Sequence, residues 1–297
     1  MPPILELEGI TKAYEGFNLE PLTFALQRGY IMGLIGPNGA GKTTVIKLLL
    51  GLTRPDSGRI RIFGYDPRTE GVAIRARIGF VHEDPVFPEG LTAGRAAAAL
   101  GPIYPHWDGG EFAALAREFE IPLDRRLKAL SRGTRTRFAL ALALSHGAEL
   151  LLLDEPSSGL DPLFRRDLLD RLAGVIQEGK ASVLFSSHLT SDLDRVADYI
   201  TFLQEGRLRF SLSKEELRER HFLVKGDPAL LTPERRRLFT GLVRGDFAFT
   251  GLTGDLPAVR RALAGAELVV ERATLEDLVF YTGRWQKGGL KLHDRPD

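Results

Sequence analysis

The sequence predicts an α/β fold built on a mainly parallel sheet, followed by a small α+β unit. Between Ile4 and about Phe210, short apolar runs typical of buried strands alternate with amphipathic stretches typical of helices. A glycine-rich loop joins one apolar run to a helical pattern. After Phe210 the composition shifts and the apolar runs become shorter. With 297 residues, the chain has room for one large domain or two smaller ones.

Within the first region, the pattern of apolar residues separates two kinds of strand. The segments Ile4–Leu26 and Arg59–Phe63 alternate apolar and polar residues, which favours antiparallel strands with one exposed face. Continuous apolar runs predict buried strands at Tyr30–Ile35, Ile78–Val81, Leu150–Asp154, Ser182–Ser186 and Tyr199–Leu203. Helices are predicted at Thr43–Leu50, at about Thr134–Leu144 and at Leu163–Val175.

The second region begins with a predicted helix. Ser213 is its expected cap, because Glu216 follows three residues later at the spacing of a capping box. The apolar run His221–Val224 comes next, then helices at Pro233–Phe239, Leu256–Ala264 and Leu275–Tyr281 and strands at Phe247–Thr250 and Glu267–Val270. We therefore predict a domain over 1–210 with a helical subdomain at about 91–138, a linker helix over 211–220, an α+β domain over 221–284 and a disordered tail over 285–297.

Composition excludes several classes of protein. Lys and Arg number 40 against 39 Asp and Glu, so the chain is not a strongly basic nucleic-acid binder. It contains no Cys, which excludes disulfide scaffolds, thiolate metal sites and cysteine nucleophiles. No run approaches the roughly 20 apolar residues that span a membrane, and we see no secretory signal. We expect a cytoplasmic chain that reaches a membrane only through a partner.

The glycine-rich loop carries the first sign of chemistry. Residues 36–43 fit the phosphate-binding pattern G-x-x-x-x-G-K-[ST], with a predicted strand before it and a helix after it. The glycines let backbone N–H groups turn towards phosphates at a helix N-terminus. Lys42 is expected to reach the β- and γ-phosphates and Thr43 to bind Mg²⁺. The loop comprises Gly36, Pro37, Asn38, Gly39, Ala40, Gly41, Lys42 and Thr43, and Thr44 extends it. The alternative is a glycine-rich turn that arose by chance.

The strand predicted at Leu150–Asp154 ends in two carboxylates, Asp154 and Glu155. We expect Asp154 to hold Mg²⁺, directly or through water. Glu155, one residue later, is expected to polarise the attacking water as a general base. By itself this pattern also describes a strand end that merely meets solvent, and the phosphate-binding loop is what favours the catalytic interpretation.

Three further segments identify a resemblance. Leu130–Thr134 precedes the acidic strand, Ser158–Asp161 follows it, and His188 closes the next predicted strand. Over about residues 4–210, this order resembles the ATP-binding subunit of ABC transporters, with its Walker A, Q-loop, signature, Walker B, D-loop and H-loop segments. Residues 103–108, 130–146 and 183–198 are similar to bacterial export-type subunits of the YtrB-like group.

The resemblance implies a P-loop NTPase core and a dimer that closes head to tail over two ATP molecules. The phosphate loop of one subunit and Ser131–Thr134 of the other would face the same ATP. Ser131 would offer its hydroxyl and Gly133 a close backbone approach. Tyr14 would stack on adenine and His188 would hydrogen-bond the γ-phosphate. Asp161 would couple the two sites.

The function implied is that of a motor subunit that binds and hydrolyses ATP with Mg²⁺ and drives a separate transmembrane permease subunit in export. It would form a homodimer or a heterodimer with a second ABC ATPase, and would lie on the inner face of the cell membrane through the permease. No nucleic-acid partner is expected. Two alternatives stay open: a soluble ABC ATPase acting on ribosomes, DNA or chromosomes, and a weakly hydrolysing regulatory subunit.

The sequence departs from the family pattern at three positions. Arg132 and Thr134 replace Gly and Gln of the signature, and Glu83 stands at the Q-loop glutamine. We expect Arg132 to point to solvent. Glu83 is expected to accept hydrogen bonds from metal-bound water and to keep the coupling role. A transition-metal site at residues 82–84, and a nucleic-acid contact through Arg132, Arg135 and Arg137, are weaker alternatives. Solvated helix charge, or contact with a neighbouring subunit, is the simpler account of these arginines.

Overall fold

The computed structural model describes residues 2–179 and 181–284, and the chain divides between Ser211 and Leu212 into two compact units. The tail predicted over 285–297 lies outside the described residues. Among the described residues, no helix has the length and apolar character that crossing a membrane requires.

A six-stranded sheet forms the centre of the first unit. Its strands are β3 (Ile31–Ile35), β5 (Ile78–Val81), β6 (Leu150–Asp154), β7 (Ser182–Ser187), β8 (Tyr199–Gln204) and β9 (Arg207–Ser213). The order is β5-β6-β7-β3-β8-β9, and the pairs from β5 to β8 are parallel. Every residue of β3, β6 and β7 is buried, which is why these strands read as continuous apolar runs. The predicted α/β fold class is confirmed.

A second, three-stranded sheet in the same unit is antiparallel. It consists of β1 (Leu5–Tyr14), β2 (Phe17–Leu26) and β4 (Ser57–Ile62), in the order β2-β1-β4. Burial alternates along β2, where Leu22, Phe24 and Leu26 are buried between exposed neighbours. The alternation of apolar and polar residues in the sequence therefore corresponds to one buried face and one exposed face, as expected.

Seven helices of the first unit connect these strands: α1 (Lys42–Leu49), α2 (Gly71–Arg75), α3 (Ala93–Leu100), α4 (Gly109–Glu118), α5 (Arg132–Leu144), α6 (Pro162–Gln177) and α7 (Thr190–Val196). Two of their N-caps belong to segments singled out above. Ser131 accepts a hydrogen bond from Thr134 N at the start of α5, and Asp161 accepts one from Phe164 N at the start of α6. The caps fix where the signature segment and the D-loop enter their helices.

The second unit has four antiparallel strands in the order β11-β12-β10-β13. They are β10 (Phe222–Gly226), β11 (Gly241–Arg244), β12 (Phe249–Thr253) and β13 (Val269–Arg272), and the helices are α8 (Lys214–Arg220), α9 (Pro233–Arg236), α10 (Leu256–Ala262) and α11 (Leu275–Arg284). From β10 to β13 the succession is β-α-β-β-α-β with the second hairpin strand beside the first strand, the ferredoxin-like split βαβ arrangement. Its own core includes Val224, Phe239, Phe249 and Val259.

Several elements of this unit differ from the prediction. The helix predicted at Pro233–Phe239 ends at Arg236, because Phe239 turns into the core beside Phe249. Strand β11 was not predicted at all. The strand predicted from Phe247 begins two residues later, since Phe247 is 96 % exposed in a turn that a Gly245 N to Ala248 O hydrogen bond closes. The capping box of Ser213 and Glu216 is present.

Candidate active site

The loop between β3 and α1 folds around its own lysine. Lys42 Nζ, almost fully buried, donates hydrogen bonds to Gly36 O at 2.6 Å and Pro37 O at 3.3 Å. A Cβ at Gly36 would lie 2.3 Å from Leu203 O, so only glycine fits there. Gly41 has φ 108°, which favours glycine and turns the chain into α1. The sequence pattern thus places a glycine-rich loop at the start of an eight-residue helix, where backbone N–H groups can bind an anion.

A cavity of about 400 Å³ lies beside this loop. It has an aromatic side, a glycine-rich floor and two carboxylates. Its lining consists of Phe17, Pro37, Asn38, Gly39, Ala40, Gly41, Lys42, Thr43, Thr44, Glu83 and Glu155. The structure therefore brings together the predicted phosphate loop from Pro37 onwards, the predicted base and the Q-loop carboxylate. A cavity of this size falls within the range of small-molecule sites.

The two acidic residues at the end of β6 have different surroundings. Asp154 is buried, and its Oδ1 accepts a hydrogen bond from Ser186 Oγ at 2.7 Å. Glu155 N donates to the same Ser186 Oγ at 2.9 Å. Glu155 has φ 48°, a left-handed backbone that is uncommon outside glycine and is typical of functional sites. One hydroxyl on β7 thus anchors both acidic residues while the backbone turns between them.

The Glu155 carboxylate lies between the side chains of Lys42 and His188. Its Oε1 is 3.1 Å from Lys42 Nζ, and its Oε2 accepts hydrogen bonds from His188 Nδ1 at 2.7 Å and from His188 N at 3.3 Å. Although Oε1 is buried, no described residue donates a hydrogen bond to it. A buried carboxylate oxygen without a donor has a free lone pair for a water molecule or a protonated ligand.

This arrangement suits a nucleoside triphosphate with a divalent cation. The phosphate loop supplies backbone N–H donors and one ammonium group, and the Thr43 hydroxyl and the Asp154 carboxylate are oxygen ligands of the kind Mg²⁺ prefers. In the part of the chain that the structure describes, no three His, Asp or Glu side chains are placed to hold a metal ion by themselves. His82 Nδ1 instead accepts a hydrogen bond from Asp84 N at 3.0 Å. Any cation at this site would need ligand oxygens from phosphates and water as well.

The signature segment does not line this cavity. The Ser131 hydroxyl is used in capping α5, 3.1 Å from Thr134 N and 2.8 Å from Thr134 Oγ1. A Cβ on Gly133 would meet Gly159 O and Leu160 Cδ2 at 3.8 Å, which is ordinary van der Waals contact. Both residues lie outside the lining of the subunit's own cavity.

The expectation that Arg132 points to solvent is wrong. Its Nη2 donates hydrogen bonds to Glu83 Oε1 at 3.0 Å, to Glu83 O at 3.3 Å and to Ser158 Oγ at 3.4 Å. Three acceptors from two loops converge on one nitrogen, which is why the side chain folds back onto the protein. The signature segment, the Q-loop and the D-loop thus meet at Arg132.

The other two arginines of α5 also have acidic partners in the same chain. Arg135 Nη2 lies 3.4 Å from Asp84 Oδ1, and Arg137 Nη2 donates to Asp161 Oδ2 at 2.7 Å. These two arginines are therefore paired within their own chain rather than merely solvated.

Tyr14 lies at the end of β1, 43 % exposed, outside the lining of the cavity. Its hydroxyl donates to Thr53 Oγ1 at 3.4 Å. Phe17, across the turn from Tyr14, lines the cavity instead, and its ring lies 3.0 Å from where a Cβ on Gly41 would be. The sequence analysis missed Phe17, because its place beside Gly41 depends on how the antiparallel sheet approaches the phosphate loop.

Asp161 caps α6 through its Oδ1, 2.9 Å from Phe164 N. The Phe164 N–H, followed by the Arg137 guanidinium, lowers the pKa of the Asp161 carboxyl. Sequence reasoning also missed a network behind the D-loop, in which buried Asp192 on α7 accepts hydrogen bonds from Ser157 Oγ at 2.7 Å and Arg165 Nε at 2.6 Å. The network ties the start of the D-loop to the helix that follows His188.

Comparisons with known proteins agree with this geometry. A family model described as "ABC transporter" matches residues 19–158. The chain is 35 % identical to "Nod factor export ATP-binding protein I" of Ralstonia nicotianae, over 94 % of this chain and 81 % of that protein. It is 29 % identical to "ABC transporter ATP-binding protein YtrB" of Bacillus subtilis, over 75 % of this chain and 76 % of the relative. A solved "Structure of ATP binding subunit of ABC transporter" is similar at a TM-score of 0.65 and 31 % identity, over 72 % of this chain and 92 % of the other.

Proposed function

Because the chain belongs to the family of ATP-binding subunits of ABC transporters, we propose that it is the ATPase motor of an exporter and works with a separate membrane permease. The relative named for export of Nod factor favours the export direction. As an ABC ATPase, the chain splits ATP by phosphoryl transfer to water. Catalysis of that reaction depends on positioning and on electrostatic stabilisation rather than on covalent chemistry.

The observation that carries the proposal is the position of Glu155. Its buried Oε1 has no hydrogen-bond donor and lies at the wall of the cavity, 3.1 Å from Lys42 Nζ. Since the other oxygen is held by His188, the carboxylate is fixed in orientation. A carboxylate of fixed orientation at the wall of the cavity, beside a lysine expected to bind phosphate, is the arrangement a general base for water attack requires.

Each residue of the site has its own role in ATP binding and hydrolysis in this proposal. The N–H groups of the phosphate loop and Lys42 bind and orient the β- and γ-phosphates. Thr43 and Asp154 would hold Mg²⁺, with Glu83 acting through a water molecule. The cation, when bound, neutralises charge on the phosphate oxygens. Glu155 takes the proton of the attacking water, and Ser186 keeps the strand end in place behind it.

A second ATPase subunit completes the site in this proposal. Ser131, Gly133, Asp161 and Tyr14 do not line the cavity formed by the phosphate loop of their own chain. A head-to-tail dimer would place Ser131 and Gly133 of one subunit over the ATP of the other. Tyr14 would contact the adenine and His188 the γ-phosphate. The partner is a second copy or a different ABC ATPase, and the assembly lies on the cytoplasmic face of the membrane through the permease.

The test is affinity purification from native membranes. A tagged Glu155→Gln chain with ATP and Mg²⁺ should trap the closed state and recover a polytopic membrane protein, identified by mass spectrometry. A tagged Lys42→Ala chain is the control, because it should not hold ATP and should recover less of the partner. A second ATPase in the complex would show a heterodimer. Recovery of soluble partners alone, from membranes that retain other complexes, would contradict the transporter function and favour a soluble ABC ATPase.

A further inference from the structure

Two positions that depart from the family pattern meet in space. Arg132, in the signature segment, lies 49 residues from Glu83 in sequence, yet its Nη2 is 3.0 Å from Glu83 Oε1. The two side chains are 41 % and 48 % exposed. Among the residues that the structure describes, Arg132 is the one cation paired with this carboxylate. The positive charge gained at position 132 is therefore paired with the negative charge gained at position 83.

The location of Glu83 gives this pair a consequence for ligand binding. Glu83 lines the cavity of the phosphate loop, where Glu155 is the other carboxylate of the wall. A polyphosphate entering the cavity meets both negative charges. Lys42 already lies beside Glu155, at 3.1 Å, so it does not neutralise Glu83. Repulsion between like charges over a few ångströms weakens binding unless a nearby cation offsets it.

Arg132 also fixes the main chain on which Glu83 stands. The same Nη2 donates to Glu83 O at 3.3 Å and to Ser158 Oγ at 3.4 Å. The guanidinium therefore restrains the backbone of the Q-loop, the carboxylate it carries and the beginning of the D-loop together. One nitrogen, Nη2, makes all three contacts, so its position relates the three acceptors to one another.

We propose that Arg132 is a positioning residue, which neutralises Glu83 and holds it at the edge of the cavity so that a nucleoside triphosphate with its divalent cation binds. With Arg132 paired to it, Glu83 adds little net charge at the edge of the cavity, as an uncharged residue at position 83 would. The inference rests on the proposed function, because it concerns ATP binding at the same site.

The chain offers a matched control one turn along the same helix. Arg135 pairs with Asp84, the neighbour of Glu83, at 3.4 Å. Asp84 is not among the residues that line the cavity. Replacing Arg135 by Gln thus removes the same charge from the same helix and frees an adjacent carboxylate, but leaves the charge of the cavity wall unchanged.

The experiment is a double-mutant cycle read by calorimetric binding of a non-hydrolysable ATP analogue with Mg²⁺ to the full chain. Arg132→Gln should weaken binding about two- to fivefold at low salt, the range that an exposed ion pair allows. In the Glu83→Gln background the same substitution should change binding less than about 1.5-fold. Arg135→Gln should leave binding unchanged. The effect of Arg132→Gln should shrink as the ionic strength rises, since salt screens exposed charges.

Each contrary result has its own meaning. Equal weakening by Arg132→Gln in both backgrounds would overturn the inference, because Arg132 would then act on something other than Glu83. Unchanged binding of Arg132→Gln, in a chain with a normal circular dichroism spectrum, would overturn it as well. A wild-type chain that binds no nucleotide would instead contradict the proposed function. Arg132→Lys keeps the charge and should restore most of the affinity that Arg132→Gln loses, which a purely steric role would not predict.

Discussion

The charged residues buried around the phosphate loop differ from the exposed arginines at the start of α5 in how their charges are held. Lys42, Asp154 and Glu155 are 6 %, 1 % and 7 % exposed, and each is held by a buried partner. Arg132 and Arg135 form ion pairs that are open to solvent. A buried charge lowers the stability of the fold unless it is paired, so an unpaired partner left by a substitution has a large effect. An exposed ion pair contributes little to stability. The comparison predicts large effects of substitution at the buried charges and small effects at the exposed ion pairs.

Lys42→Ala should produce the largest effect on binding. The substitution removes the ammonium group that binds phosphate and leaves Glu155 as a buried carboxylate with only His188 beside it. We expect ATP affinity to fall by about 100-fold or more, because the charge-assisted hydrogen bonds between the ammonium group and the phosphates are lost. Isothermal calorimetry measures this. Lys47→Ala, at an exposed position on the same helix, is the control and should bind normally; equal loss in both would place the defect in α1 as a whole.

Ser186→Ala should affect both stability and turnover. The hydroxyl donates to buried Asp154 Oδ1, which would lose this donor, whereas Glu155 N would keep its hydrogen bond to Ser186 O at 3.2 Å. We expect a loss of about 1–3 kcal/mol in the free energy of unfolding and a lower kcat. Ser182→Ala removes a buried hydroxyl from the same strand, one that accepts from Gly29 N away from the cavity. If Ser182→Ala reduced kcat as strongly as Ser186→Ala, the role of Ser186 at the strand end would be wrong.

Asp161→Ala should have a smaller effect. It removes the cap of α6 and the partner of Arg137, and we expect Tm to fall by about 2–4 °C at neutral pH. Because the Phe164 N–H and Arg137 lower the pKa of Asp161, its contribution is present above the usual carboxyl pKa and is lost as the pH falls through the folded value. The difference in Tm between the two proteins should therefore vanish in strong acid. Asp161→Asn retains the helix cap but has no carboxyl group to titrate. Its loss of Tm at neutral pH should therefore be smaller than that of Asp161→Ala.

The smallest expected effect lies in the second unit, far from these charges in sequence. Burial lowers the pKa of His221, whose Nδ1 has no hydrogen-bond partner among the described residues. The unfolded chain therefore binds a proton more readily than the folded chain, and stability is lost as the pH falls below about 6.5. Wild-type Tm should decline there by no more than about 2 °C relative to His221→Gln, measured by calorimetry. A parallel pH dependence in both proteins would remove His221 as the cause.

Sequence patterns predicted the buried half of this molecule better than its exposed half, for a physical reason. A strand such as β6, buried on both faces, must be apolar throughout, and a loop such as 36–43 needs glycines where a Cβ would clash. Both constraints are local and appear in the sequence. Strand β11 has four residues, begins at Gly241 and has no such run of buried residues, so nothing local marked it.

Long-range contacts between exposed residues were the other failure. The pairing of Arg132 with Glu83 joins positions 49 residues apart, and no periodicity relates them. The solvent-pointing orientation expected for Arg132 was wrong because the folded chain brings three acceptors to it. Phe17 was missed for a similar reason, since its place beside Gly41 depends on how the antiparallel sheet approaches the phosphate loop.

The most direct test of the account is the rate of ATP turnover by Glu155→Gln. The substitution preserves the shape of the side chain and removes the base, so kcat should fall about 10²–10⁴-fold while ATP binding persists. Asp170→Asn, which neutralises an exposed carboxylate paired with Arg195, should turn over normally. Turnover of Glu155→Gln within about threefold of wild type, in a folded protein that binds ATP, would contradict the assignment of Glu155 as the catalytic base.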